Sequence, residues 1–211
     1  MAYRIYRTEI RKMIKVGITG GIGSGKTYIC RLLELNGYAV FYSDAEAKKI
    51  QDTDPEVRAK IIDLFSEECY TANGLNRNFI AGIIFNNPNA KKKLEEIIHP
   101  KVTEAFNSWC EEKAKANHDM VFIESAILFE SGFNKKVDKV IMIYADKETR
   151  ILRSMKRDLT DRKSIEERIK NQICDQRKCE LADYVIYNNP NDFINKQLTK
   201  IINELFFGER R

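Results

Sequence analysis

Eight consecutive residues, Gly20-Gly21-Ile22-Gly23-Ser24-Gly25-Lys26-Thr27, satisfy the pattern G-x-x-x-x-G-K-[ST] directly after the apolar run Ile14–Ile18. In such a loop the glycines let backbone N–H groups turn inward around phosphate oxygens, Lys26 reaches the β- and γ-phosphates, and the Thr27 hydroxyl ligates Mg²⁺. The helix that follows points its N-terminus at the anion. A glycine-rich strand-to-helix turn with an exposed lysine is the competing reading, and the strand before and helix after the motif favour the phosphate loop. The motif specifies a nucleotide but no reaction.

Further residues could complete the chemistry. Ser43-Asp44 closes a second apolar run, Ala39–Ser43, and in an open parallel sheet the carboxyl ends of strands face the ligand crevice. A carboxylate there either orients or deprotonates a hydroxyl attacking the γ-phosphate, or caps a helix over Ala45–Gln51. Glu124 ends the run Val121-Phe122-Ile123, where an acid holds Mg²⁺ through water or pairs with a nearby lysine. Arg150, Arg153 and Arg157 share one helical face at 3–4 residue spacing. That face is either solvated or relieved of its repulsion by a phosphate ligand, with Asp158–Lys163 as a polar mobile lid. Asn188-Asn189-Pro190 either contacts a base edge or caps the last helix. His99, one of two histidines, reads as structural, and Pro100 predicts a break or kink. Phe129 and Tyr42 read as core or pocket wall.

These residues need a scaffold, and the pattern of short apolar runs between longer helical stretches supplies one. Strands are predicted at Ile14–Thr19, Ala39–Ser43, Met120–Ser125, Lys139–Tyr144 and Tyr184–Tyr187. Their near-continuous apolar content suits strands buried on both faces, so the fold is α/β, a five-stranded parallel sheet wrapped by helices. Helices are predicted to start at Asp54-Pro55, Asn87-Pro88 and Asn189-Pro190, each a capping residue followed by proline, and at the capping box Ser164–Glu167. Between the second and third strands the periodicity is helical (Val57/Ile61/Ile62/Phe65, Ile80/Ile83/Ile84, Leu94/Ile97/Ile98) without a strong strand signal. That stretch predicts a helical substrate-binding insertion over about 45–118.

Composition bounds the rest. The 211 residues, 43% hydrophobic and 32% charged, suffice for one domain of 13–211 with that insertion and a lid at about 153–170. The net charge is +5, but Arg4, Arg7, Arg11 and Lys12 against Glu9 place +3 in a loose N-terminal tail, 1–12, ahead of a second methionine at 13. The remaining excess argues against a nucleic-acid partner. Five cysteines without a C-x-x-C pair suggest neither a disulfide framework nor zinc, and fit a reducing cytoplasm. No apolar stretch approaches a membrane span, and no signal peptide is expected.

Taken together, Gly17–Thr27, Ser43-Asp44-Ala45, Ile98-His99-Pro100, Ile127-Leu128-Phe129-Glu130, Arg153–Asp158, Gln172, Ala182–Ile186 and Asn188 resemble the dephospho-CoA kinases over about residues 14–205. These are P-loop kinases that phosphorylate the ribose 3′-hydroxyl of dephospho-CoA. The resemblance implies ATP and Mg²⁺ as cofactors, a small-molecule substrate, and catalytic roles for Asp44, Lys26 and Arg157. It also implies a nucleotide site of Gly21, Ile22, Gly23, Ser24, Gly25, Lys26, Thr27 and Tyr28 with Arg153 and Asn188, the last beside the adenine. His99, Pro100, Lys101, Leu128, Phe129 and Glu130 become the expected CoA-side lining, Arg153 and Arg157 lid cations, and Thr27 and Glu124 the metal's residues. Two positions depart from the family pattern: Tyr42 stands where Asp is usual two residues before the catalytic Asp, and Ala126 where Pro precedes the Leu-Phe-Glu segment. Other small-molecule P-loop kinases and nucleotide-switched binding proteins are the alternatives; the absence of an Asn-Lys-x-Asp signature argues against a GTPase.

Overall fold

Residues 12–85 and 87–208 are described by the structure, a computed structural model. Of the tail expected over 1–12, all but Lys12 lies outside the described residues. The chain forms two compact units, one of 1–41 with 113–211 and one of 42–112.

The first unit begins with β1 (Ile14–Gly20), α1 (Lys26–Leu35) and β2 (Ala39–Tyr42, whose last residue is assigned to the second unit). It resumes with β5 (Met120–Glu124), β6 (Lys139–Tyr144), α6 (Lys147–Asp158), α7 (Arg162–Lys170), α8 (Asp175–Leu181), β7 (Tyr184–Tyr187) and α9 (Ile194–Phe207). The second unit holds α2 (Ser43–Thr53), α3 (Pro55–Leu64), a hairpin of β3 (Tyr70–Thr71) and β4 (Gly74–Leu75), α4 (Arg77–Phe85) and most of α5 (Pro88–Lys115).

The expected α/β class and five-stranded parallel sheet are present, in strand order β2-β5-β1-β6-β7. Each predicted strand agrees with an observed one to within a residue at either end. The central strand β1 pairs with β5 (Val16 opposite Phe122) and with β6 (Ile18 opposite Ile141). Val16, Ile18, Val121, Phe122, Ile123, Ile141 and Ile143 are buried, as a parallel sheet covered on both faces requires. Because the strands are parallel, the ends of β1 and β5 at Gly20 and Glu124 lie on one edge of the sheet, where such folds bind ligands.

Two expected helix starts hold. Asp54 accepts a hydrogen bond from Val57 N (3.0 Å) ahead of Pro55, and Asn87 one from Ala90 N (3.0 Å) ahead of Pro88. Others do not. At Asn189-Pro190 the chain only turns, and α9 starts at Ile194, because the Asn189 side chain accepts from Asp146 N (2.9 Å) instead of capping. The cap of α7 is Asp161, which accepts from Ser164 N (2.8 Å), so the helix opens before the predicted capping box. Pro100 does not break α5, which runs unbroken through it; a proline forfeits one main-chain hydrogen bond, a loss that a 28-residue helix absorbs. The β3–β4 hairpin lies inside the stretch read as helical, because two-residue strands carry no periodicity. It is fixed by tertiary contacts, as Asp52 accepts from Leu75 N (2.9 Å) and from Arg77 (2.8 Å), and the Tyr70 hydroxyl donates to Gln51 O (2.7 Å).

Candidate active site

The phosphate loop bridges β1 and α1. Gly25 caps α1 in the left-handed region (φ 94°), a conformation that L side chains resist, and a Cβ there would run into Asn188 Nδ2. The Lys26 ammonium arches back over the loop to donate to Gly20 O (3.1 Å) and Gly21 O (3.4 Å). It therefore stands over the concavity that the glycine-rich backbone forms. Thr27 and Tyr28 are exposed in the first turn of α1, and Tyr28 lines a surface groove of about 420 Å³ with Phe193 and Ile194.

Three side chains from distant parts of the chain grip this loop. The Asn188 amide donates to Ser24 O (2.7 Å), the Gln172 amide oxygen accepts from Ile22 N (3.1 Å), and Arg150 Nε donates to Ile22 O (2.9 Å). The Asn188 side chain, expected beside an adenine, is buried and bound to the loop backbone.

The expected common arginine face also resolves differently. Arg150 is buried at 1% exposure and paired with Asp175; its burial lowers the guanidinium pKa below the usual arginine value. Arg153 donates to Asn188 O (2.8 Å). Arg157, exposed at the end of α6, holds Asp158 in two hydrogen bonds (2.6 and 3.0 Å). Each cation thus has its own acceptor, and the mutual repulsion expected on one solvated face does not arise. Asp158 also accepts from Arg168 of α7 (2.7 Å), and these two arginines hold its carboxyl far below the usual range. Arg162 and Lys163, expected within a mobile lid segment, belong to helix α7.

Glu124 is 7% exposed at the end of β5, opposite Ile18 of β1. Its charge and that of Lys26 both act on the Cys30 thiol, which burial pushes well above its ordinary pKa, Glu124 raising it further and Lys26 lowering it. Thr27 and Glu124 offer only oxygen, a donor set that suits Mg²⁺ keeping its other bonds for phosphate and water. No cluster of three or more His, Cys, Asp or Glu that could hold a metal ion occurs among the described residues.

After β5 the chain turns through 125–131. Leu128 is fully buried, and a Cβ at Gly17 would press on its side chain. It is a core residue rather than the substrate lining expected of it. Phe129 is half-buried. Glu130 pairs with Lys178 (2.8 Å) and accepts from Ile173 N (3.0 Å), while Lys178 and Gln172 both donate to Ala126 O (3.0 and 3.3 Å). The supporting roles of Arg150 and Lys178 have little signal in the sequence. The only local sign is that Arg150 shares a helical face with Ile151 and Ser154, which are also buried.

In the second unit Asp44 is exposed within the first turn of α2. The helix starts at Ser43 after Tyr42, so Asp44 is not its cap, and its carboxylate has no hydrogen bond or ion pair among the described residues. His99 is half-buried and its carbonyl accepts from the Thr103 hydroxyl (2.9 Å). Lys101 is drawn to Glu56 (2.7 Å), with Glu104 at 3.8 Å and Asp54 at 4.0 Å.

The sequence model of the family described as dephospho-CoA kinase matches residues 14–192. A dephospho-CoA kinase of Bacteroides fragilis is 40% identical over 193 residues, covering 92% of this chain and 93% of its own. Among solved structures, a dephospho-CoA kinase from Campylobacter jejuni superposes with a TM-score of 0.68 at 30% identity, over 92% of this chain and 98% of its own. A Thermus thermophilus protein does so with a TM-score of 0.79 at 29% identity, over the same shares of the two chains. With a phosphate loop so built, and matches of this extent, the chain belongs to the dephospho-CoA kinase family.

Proposed function

We infer that this chain transfers the γ-phosphoryl group of ATP to the ribose 3′-hydroxyl of dephospho-CoA, giving coenzyme A. The observation that carries the reading is the loop at 20–27, with Lys26 folded over its carbonyls and α1 rising from Gly25, in a chain of this family.

Lys26 neutralises charge on the transferring phosphoryl group, and the loop amides bind its neighbours. Thr27 and Glu124 would hold Mg²⁺, which supplies charge neutralisation on the β- and γ-oxygens. Asp44 orients the acceptor hydroxyl and takes its proton; its place just past the carboxyl end of β2 and its unpaired carboxylate support this. Arg157, exchanging Asp158 for phosphate, and Arg153 close on the nucleotide side and exclude water. Tyr28 borders the nucleotide, while His99, Pro100 and Phe129 line the acceptor side. The five cysteines are all thiols, which supports a reducing cytoplasmic setting, and no helix among the described residues is long and apolar enough to cross a membrane.

Incubation with ATP, Mg²⁺ and a panel of dephospho-CoA, nucleosides and nucleotides, with products resolved chromatographically, tests the reading. Coenzyme A is the expected product; phosphorylation of a nucleoside or nucleotide in preference to dephospho-CoA overturns it.

A further inference from the structure

Beneath the phosphate loop lies a charged pair that no phosphate-binding motif demands. Arg150 is among the largest fully buried side chains, yet it is a cation in the interior, a costly placement unless it is paired and hydrogen-bonded. Its guanidinium meets two partners: Nε donates to Ile22 O at 2.9 Å, and Nη1 faces the Asp175 carboxylate at the start of α8. A Cβ on Gly21 would collide with the same guanidinium, and one on Gly23 with the Arg150 carbonyl. The loop's outer turn therefore rests directly on α6 at Arg150.

The stretch between the two charged residues includes α7 and Gln172, which accepts from Ile22 N at 3.1 Å. Ile22 is thus held at its carbonyl by Arg150 and at its amide by Gln172, from either side of α7 in the chain. Ile22 is a non-glycine position among residues whose amides must stay turned toward an anion. Fixing both of its polar backbone groups removes the freedom that its glycine neighbours would otherwise give it.

We propose that Arg150 and Asp175 form a positioning pair for the nucleotide: Asp175 holds the buried guanidinium against Ile22 and Gly21, and so keeps the loop amides arranged for the phosphates before ATP arrives. The pair touches neither the reacting atoms nor the acceptor. Its contribution belongs to nucleotide affinity, and through α7 it ties the segment carrying Arg157 and Arg168 to the loop.

The proposal rests on the kinase reading above only for its acceptor, so the test separates the two. Dissociation constants for a non-hydrolysable ATP analogue with Mg²⁺, measured by calorimetry, need no acceptor; the KM for dephospho-CoA is measured alongside on the same preparations. Asp175→Asn and Arg150→Gln are expected to weaken analogue binding by about 10-fold or more, the scale for losing a buried charge partner. The KM for dephospho-CoA should stay within about twofold, and Asp175→Glu should restore analogue affinity to within about threefold of wild type. If the single variants fail to fold, the double variant Arg150→Gln/Asp175→Asn, which leaves no unpaired buried charge, is read the same way. Analogue affinity within about twofold of wild type in folded variants, or an equal loss toward both substrates, overturns the pair as a positioning device and leaves an ion pair of structural value alone. A wild-type protein that binds the analogue but does not phosphorylate dephospho-CoA removes the acceptor assignment and leaves this result standing.

Discussion

In the first unit, polar side chains from α6, α8, the 171–174 turn and the end of β7 reach inward to grip main-chain groups of the phosphate loop and of the turn after β5. In the second unit the interior is apolar (Val57, Ile61, Ile80, Leu94, Val102, Phe106) and the charges pair at or near the surface, as Lys60 does with Glu56 and Arg77 with Asp52. Eight of the nine buried polar residues among the described residues belong to the first unit, and only Ser43 to the second. The difference tracks what each unit must hold still. A backbone that presents N–H groups to an anion needs oriented, desolvated partners, because apolar packing is non-directional and cannot aim an amide. A helical unit whose functional side chains stand outside its core can rely on a generic apolar interior, which tolerates substitution so long as volume is kept.

The largest effect is expected at Asp44, the one residue of the second unit assigned to proton transfer. As Asp44 is not a cap and is exposed, Asp44→Asn should leave thermal stability unchanged, yet turnover should fall about 10²–10⁴-fold if its carboxylate takes the hydroxyl proton. ATP binding should survive. Turnover within about threefold of wild type would return Asp44 to the surface and leave the second unit without a catalytic group.

At Phe106 the expected effect is on stability alone. It is fully buried and stacks on Trp109 at a centroid distance of 6.1 Å. Phe106→Ala should destabilise by about 3–5 kcal/mol through lost burial and a cavity. Affinity for the ATP analogue, measured at a temperature where the variant is folded, should remain within about twofold. A selective loss of nucleotide affinity would show that the second unit's interior does more than hold itself together.

The smallest effect is expected at the surface of the second unit. Hydrogen bonds from Lys101 and Lys60 pull the Glu56 carboxyl from 4.5 down to about 2. A depressed folded-state value means that its stabilisation is complete above the unfolded value near 4.5 and disappears as the pH falls through about 2. Glu56→Gln should therefore lower the melting temperature near pH 7 by no more than about 2 °C, since the group is exposed. That difference should vanish toward pH 2. A larger or pH-independent difference would mean that surface charge does in the second unit what buried polar contacts do in the first.

Legibility in the sequence varies with the range of the interaction responsible. All five strands of the main sheet are legible, since each is a contiguous apolar run, and so are α3 and α5, whose Asp54-Pro55 and Asn87-Pro88 starts are local signals. The β3–β4 hairpin is not, because two residues per strand leave no pattern and its geometry depends on Asp52, twenty-three positions from Leu75. Asn189-Pro190 misleads for a related reason: a dipeptide of the kind that starts α5 is diverted when its side chain finds Asp146.

The residues from Gly20 to Thr27 by themselves determined that the chain carries a phosphate loop, because the glycines, the lysine and the hydroxyl act through backbone torsions and reach that are encoded within eight positions. The identity of what holds that loop was decided only by tertiary structure. Asn188 is 164 residues from Ser24, and Arg150 is 128 from Ile22. An asparagine that the sequence offers as a base contact is bound to the loop backbone, and an arginine that could join two others on a charged face is instead the loop's buried foundation. Local sequence states which polar groups a segment carries, whereas the partner that each must find once water is excluded depends on which distant backbone the fold brings against it.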